Sequence, residues 1–314
     1  MAEISEYQTI FITEAEQNQR IDKILSDRFA DQSRTYFQYL LENSLVLLNG
    51  EPVKKRVKPK IGDEVEIAFA CTPEIDLQPE AMPLEIIYED DYLLAVNKPA
   101  GMVVHPGAGN RSGTFVNGLL HYCQSIQQQW SGSHSIRPGI VHRLDKETSG
   151  LLLAAKDTMT QAKLVELFAS RQVHKRYIAI CCTNPGDTWV KEPIARHPTN
   201  RQQMAVVATG KESITHFVPV KVSSDLSMVY AYPQTGRTHQ IRVHLQHLKC
   251  PILGDSIYGT LSLNQKYGIK RQMLHAEGLS FTHPVTKQVV SLSAPIPADM
   301  QSIIDKFALS FYSK

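Results

Sequence analysis

The chain has 314 residues, 42% of them hydrophobic and 20% charged, which suits about two packed domains and excludes a disordered or fibrous chain. It has no apolar run of membrane-spanning length, and its first residues carry neither the features of a signal peptide nor the arginines of a transit peptide. The five cysteines (Cys71, Cys123, Cys181, Cys182, Cys250) include no C-x-x-C pair, which argues against a disulfide framework or zinc knuckle and for the reducing cytoplasm. The net charge of +2 hides an asymmetry: residues 1–91 carry nine Lys/Arg against 19 Asp/Glu, and residues 92–314 carry 24 against 12. The larger part therefore suits a polyanionic partner.

Ile21, Ile24, Leu25 and Phe29 recur at helical spacing. A second helix is expected from Arg34, with Ser33 as N-cap and Phe37, Leu40 and Leu41 on its apolar side. Asn43 or Ser44 would take the left-handed position that ends it. A short strand over 45–48, an Asn49-Gly50 turn, a basic run over 54–60 and a strand over 64–69 complete the segment. The order R-x-D-K-x-L, S-R, V-x-x-N-G and G-D-x-V-x-I between Arg20 and Ile67 resembles the S4 RNA-binding domain, apart from a missing glycine after the second helix. The resemblance implies a module over 15–70 that meets RNA through Ser33, Arg34, Lys54, Lys55, Arg56, Lys58 and Lys60. A lysine-rich solvated turn is the alternative reading of the basic run.

Residues 71–83 are Pro-rich without a basic residue and read as an extended linker. Beyond them, short apolar runs at 86–88, 93–96, 151–155, 177–181 and 228–232 read as strands. Thr158-x-x-Gln161 is a capping-box candidate for a helix to about Ser170 with Ala162, Val165 and Phe168 on one side. Ile241, Leu245 and Leu248 mark another helix. Strands and helices do not alternate regularly, so residues 84–305 read as an α+β domain rather than a doubly wound sheet.

The phosphate-cradling glycine motifs are absent, as are H-E-x-x-H and G-x-S-x-G. His239, His244 and His247 lack a familiar ligand spacing and read as surface or supporting histidines, so no cofactor or metal is expected. Arg, His, Asp, Gly and Thr concentrate instead in two stretches, residues 137–150 and 235–244. A carboxylate held among Arg143, Lys146 and a distant arginine would stay ionised and serve as a nucleophile toward carbon. A structural Asp–Arg ion pair fixing a loop would use the same residues.

The stretch H-R-L-D-x-x-T-S-G (142–150) is similar to the signature of the RluA-type pseudouridine synthases, and T-G-R-T-H-Q-I-R-V-H (235–244) to their second arginine motif. Further matches follow in family order at 97–106, 175–179, 251–259 and 274–276. The resemblance implies a catalytic domain built on a largely antiparallel mixed sheet with flanking helices and a central cleft. It also implies Asp145 as the catalytic aspartate, Tyr177 as the base-stacking tyrosine and Arg237 as the arginine paired with the aspartate. Arg143 would fill the space left by a flipped uridine, and Leu274 would help line the base pocket. The stretches 103–110 and 192–206 resemble an S4-bearing branch that acts on the helix 69 stem-loop of large-subunit rRNA, which implies a monomer with rRNA or a pre-ribosomal 50S particle as partner and no membrane. Other uridines of rRNA or tRNA are the near alternative. A non-catalytic ribosome-assembly factor is another, and a glycosidase would find only Glu147 as a second carboxylate in these stretches.

Overall fold

A computed structural model of the chain describes residues 4–29, 32, 34–70, 77–107, 110, 112–123, 126, 137–200, 203–223, 225–307 and 309. The chain divides into two compact units, Met1–Asp76 and Leu77–Lys314.

The first unit runs β1 (Ile4–Phe11), α1 (Ile21–Arg28), α2 (Arg34–Glu42), β2 (Val46–Leu48), β3 (Glu51–Pro52) and β4 (Glu64–Ala70). Its antiparallel sheet has the order β1-β4-β2-β3. Ile21, Ile24 and Leu25 of α1 and Phe37, Leu40 and Leu41 of α2 are buried against Val46, Val65 and Ile67 of the sheet, as their spacing predicts. Ser44 takes the left-handed backbone (φ 58°) after α2, and Asn49 and Gly50 (φ 51° and 78°) close the β2–β3 hairpin. Strand β1 pairs with β4 along most of its length and precedes residue 15, the expected start of the module. Ser33, the expected cap of α2, lies outside the described residues, as do residues 71–76 of the linker.

The remainder of the linker is not a free tether. Leu77 packs into the second unit's core, the Asn117 amide donates to the carbonyl of Gln78 (2.8 Å), and the Glu80 carboxylate accepts the Gly113 N–H (2.9 and 3.1 Å). These polar anchors are what an eye on proline content overlooks.

The second unit runs β5 (Ile86–Glu89), β6 (Leu93–Lys98), α3 (Phe115–Tyr122), β7 (Ser149–Ala155), α4 (Thr158–Ala169), β8 (His174–Cys182), β9 (Thr188–Val190), β10 (Ile194–Arg196), β11 (Met204–Val206), β12 (Thr215–Val222), β13 (Leu226–Pro233), α5 (Gln240–His247), α6 (Leu261–Tyr267), β14 (Leu274–Thr282), β15 (Val289–Ser293) and α7 (Ala298–Lys306). Its main sheet has the order β5-β6-β7-β14-β8-β13-β12-β9, with β15 added on β14. Among the described residues only β7 and β14 pair in parallel, so the expected largely antiparallel mixed sheet with flanking helices is what the chain forms. Helix α3 buries Phe115 and Leu119 with Val96 and Leu152, while Ile241 and Leu245 of α5 and Met300, Ile303 and Ile304 of α7 share a core with β8 and β13.

Helix α4 departs from its expected cap. Asp157, one residue before the expected capping box, accepts from the N–H (2.7 Å) and hydroxyl (2.6 Å) of Thr160, at the position where the orphan N–H groups point. Gln161 instead bridges to the carbonyls of Arg137 and Ile140. The helix consequently buries Leu164 and leaves Ala162 and Val165 exposed.

Candidate active site

The segment 142–148 leads into β7, and its position is set where β7 meets β14. Gly150 (φ 112°) lies so near Ala276 that a Cβ there would come within 2.2 Å of the Ala276 carbonyl oxygen, so only glycine permits the parallel pairing. Ala276 is in turn paired with Tyr177 across the β14–β8 ladder. Two strand pairings thus bring the segment carrying Asp145 and the strand carrying Tyr177 to opposite sides of β14.

The backbone after Asp145 is tied down by buried donors. Lys98 at the end of β6 is fully buried, and its Nζ donates to the carbonyls of Pro99 (2.8 Å), Met102 (3.0 Å) and Lys146 (3.1 Å). Burial pushes its ammonium down to about 8. Arg271 donates to the Glu147 carbonyl (3.3 Å), and the Gln272 amide to the Thr148 hydroxyl (2.7 Å). The sequence motif around Lys98 was visible, but its partner 48 positions away was not.

Arg242 of α5, 4% exposed, holds the Asp145 side chain: its Nη1 donates to Oδ2 at 2.9 Å. Its Nε and Nη2 form a two-pronged pair with Asp255 at 2.7 and 3.0 Å, and Asp255 also accepts the N–H groups of Ile257 and Tyr258. Burial alone would raise the Asp255 carboxyl, but the Arg242 guanidinium outweighs it and holds the group below the usual carboxylate range. The Tyr258 ring lies 5.0 Å from the same guanidinium. Arg242 is thereby fixed with one nitrogen left for Asp145.

This corrects the expected partner. Arg237 lies in the turn before α5 and its Nε donates to the Glu212 carbonyl at 3.0 Å. The reason is where the helix starts. The Gln240 side chain accepts the Arg237 N–H (3.0 Å) and the Thr235 hydroxyl (2.7 Å), so α5 begins at Gln240 and Arg242 falls on its inward face. His244, expected at the surface or in a supporting role, is fully buried between the Thr215 hydroxyl and the Glu192 carbonyl.

The expected catalytic and substrate-binding residues Arg143, Asp145, Tyr177, Arg237 and Leu274 line one cleft of about 470 Å³, together with Arg242 and with Val165 and Phe168 of α4. Leu274 is 4% exposed. Burial, reinforced by the Asp145 charge, raises the Tyr177 phenol above its ordinary range, so this ring stays neutral. Arg143 is exposed and makes no hydrogen bond or ion pair among the described residues, leaving its five N–H donors for a ligand. Val165, Phe168 and Ala169 of α4 form part of the cleft wall. His142 stacks on Phe168 (4.6 Å) and accepts the Leu153 N–H at 2.8 Å, and burial keeps it neutral with a pKa of about 3. Among the described residues no group of three or more His, Cys, Asp or Glu side chains is placed to hold a metal ion.

In the first unit, the fully buried Asp22 accepts from Arg20 (2.9 and 2.8 Å), Arg34 (3.1 and 3.0 Å) and Gln38 (2.8 Å). Burial works against its charge, but the two guanidinium groups hold the carboxyl below its ordinary value. Arg20 and Arg34 are fixed side by side in this way and remain partly exposed. Of the basic run, Lys54, Arg56, Lys58 and Lys60 are exposed, while Lys55 is paired with Glu42. Arg20, part of the recognised signature but not among the expected contacts, joins Arg34 only through Asp22.

A family model described as RNA pseudouridylate synthase matches residues 92–247. The ribosomal large subunit pseudouridine synthase D of Pasteurella multocida is 40% identical over 301 residues, covering 91% of this chain and 90% of that protein. An uncharacterised RNA pseudouridine synthase of Bacillus subtilis is 40% identical over 299 residues, covering 94% and 96%. The solved structure of human RNA pseudouridylate synthase domain containing 4 shares 26% identity and a TM-score of 0.56 over 72% of this chain and 94% of its own.

Proposed function

Because the chain belongs to the RNA pseudouridine synthase family, we propose that it converts uridines of large-subunit (23S) rRNA to pseudouridine, in the helix 69 stem-loop, with Asp145 as nucleophile. The observation that carries this reading is the Asp145 carboxylate, held at Oδ2 by the immobilised Arg242 in a cleft that also presents Tyr177 and Leu274. The substrate class rests on the likeness to proteins named for the large ribosomal subunit.

A stacked uridine hides its glycosidic bond, so the base must leave the helix at a cost of about a few kcal/mol. Stacking on Tyr177 returns about 1–3 kcal/mol, and the free guanidinium of Arg143 is suited to the vacated space. Asp145 then attacks either C6 of the base or C1′ of the ribose. In both routes the C1′–N1 bond breaks, the uracil turns, a C1′–C5 bond forms, the bond to Asp145 breaks and returns its carboxylate, and the proton on C5 is lost while N1 gains one. The product is an isomer, so the step needs no oxidant, reductant or water. The first unit, read as an S4 domain, adds phosphate contacts through Arg20, Arg34 and the exposed part of the basic run. Cysteine usage supports the cytoplasm as the compartment.

The test is chemical mapping of pseudouridine in rRNA from cells lacking the protein, rescued by wild type or by Asp145→Asn. Signals in helix 69 should vanish, return with wild type and stay absent with the variant. Unchanged pseudouridine at every rRNA position would overturn the assignment.

A further inference from the structure

Among the described residues His239 is the histidine whose ring nitrogen approaches the Asp145 carboxylate, and nothing above gives it a task. It stands at the N-terminus of α5 in the left-handed conformation (φ 57°, ψ 19°), with Nε2 3.9 Å from Oδ2 of Asp145. Its Nδ1 lies 2.9 Å from the phenol oxygen of Tyr258, which is 4% exposed. That oxygen also accepts the N–H of Met204 at 2.7 Å, and Met204 is the first residue of β11 in the β10–β11 hairpin.

The protons assign themselves along this row. Tyr258 has one proton to give, and among the described residues the acceptor within reach is Nδ1 of His239. Burial, opposed by the Asp145 charge, pushes the imidazole below its ordinary pKa, and a neutral imidazole that accepts at Nδ1 carries its proton on Nε2. The Nε2–H therefore faces the carboxylate. Its distance is about 1 Å beyond hydrogen-bond length. Oδ1 of Asp145 makes no hydrogen bond among the described residues, while Oδ2 already takes Arg242. A second donor arriving at Oδ2 would fix the carboxylate plane and leave Oδ1 as the attacking oxygen.

We propose that His239 is a positioning residue for Asp145: set in its Nε2–H tautomer by Tyr258, it closes onto Oδ2 when substrate binds and aims Oδ1 at the uridine. The proposal rests on the reading of Asp145 as nucleophile.

Single-turnover kinetics test this on 23S rRNA and 50S particles from cells lacking the protein. His239→Asn keeps a residue tolerant of the left-handed backbone but is too short to reach Oδ2, whereas His239→Gln supplies an amide N–H at the reach of Nε2. Tyr258→Phe keeps the ring beside Arg242 and removes the proton that sets the tautomer. His239→Asn and Tyr258→Phe should slow the rate about 10- to 100-fold with RNA affinity within about twofold, and His239→Gln should recover to within about threefold of wild type. Wild-type rates in His239→Asn and Tyr258→Phe beside an inactive Asp145→Asn would overturn this inference alone. An Asp145→Asn enzyme at the wild-type rate would overturn the underlying reading with it. A loss in His239→Gln equal to that in His239→Asn, or one confined to RNA affinity, would also overturn the positioning role.

Discussion

The Nζ of Lys98 donates to the carbonyl of Lys146 at 3.1 Å, the residue immediately after Asp145, from a position with no solvent exposure. The segment carrying Asp145 is thus anchored by a desolvated cation as well as by Arg242.

That desolvation has a measurable sign. Below pH about 8, Lys98 is charged folded and unfolded, and its burial penalty is fully present. Between about 8 and the ordinary lysine value of 10.5, the folded state releases its proton first, so stability rises with pH. Against Lys98→Met, wild type should gain up to about 3 kcal/mol over this window in denaturant unfolding. A constant difference would show that the ammonium is not desolvated. In the same variant the Lys146 carbonyl loses a donor, and turnover should fall about 10-fold as Asp145 loses its footing.

Arg242 and Arg237 should separate cleanly. Arg242→Met leaves Asp255 buried without its partner and should cost about 3–5 kcal/mol of stability together with all detectable turnover. Arg237→Ala removes a half-buried side chain bonded to one carbonyl, so denaturation midpoints should stay near wild type while turnover persists. Equal losses of stability in the two variants would contradict the pairing seen here.

Tyr177 can be examined where turnover is blocked. In an Asp145→Asn background, Tyr177→Leu should weaken binding of substrate RNA by about 1–3 kcal/mol, the worth of one base–aromatic stack, and Tyr177→Phe should restore it. Titration of a fluorescent helix 69 stem-loop reads both. A Phe variant as weak as Leu would mean that the hydroxyl, not the ring face, holds the base.

Salt dependence should distinguish the lysines of the first unit. Replacing Lys54, Arg56, Lys58 and Lys60 together by alanine should flatten the log–log salt slope of RNA binding by about three, since each lost phosphate contact removes about 0.7–0.9. Lys55→Ala should leave the slope as it is, because that ammonium is spent on Glu42.

Asp145, Tyr177 and Leu274 were readable only through the ordered motifs shared with the resembled family; composition and spacing alone would have left Tyr177 as a core aromatic and Asp145 as one half of a structural ion pair. Motif order does not tell which way a side chain turns, and that is where the expectations failed. Arg242 displaced Arg237 as the partner of Asp145 because Gln240 sets the start of α5. Asp157 displaced Thr158 as a cap because, one residue earlier, its carboxylate oxygens reach both the N–H and the hydroxyl of Thr160. The tie from Lys98 to Lys146 and the row from Met204 through Tyr258 to His239 join distant residues by single hydrogen bonds, which leave no periodic trace in a sequence. In the first unit the helices and turns were legible from spacing. Strand β1 was not, since its sequence ISEYQTIF pairs with β4 while leaving most of its side chains in water.

The place of β14 in the sheet also dictates an order of assembly. This strand, the second-last in the chain, lies between β7 and β8 and joins β5-β6-β7 to β8-β13-β12-β9. Until residues 274–282 have left the ribosome, those two halves have no strand between them to bond to. Asp145 belongs to one half, Tyr177 and Arg242 to the other. Closing so long a loop is slow, and the contacts that reward it arrive last. The cleft that gathers Asp145, Tyr177 and Arg242 is therefore completed only when nearly the whole second unit has been made.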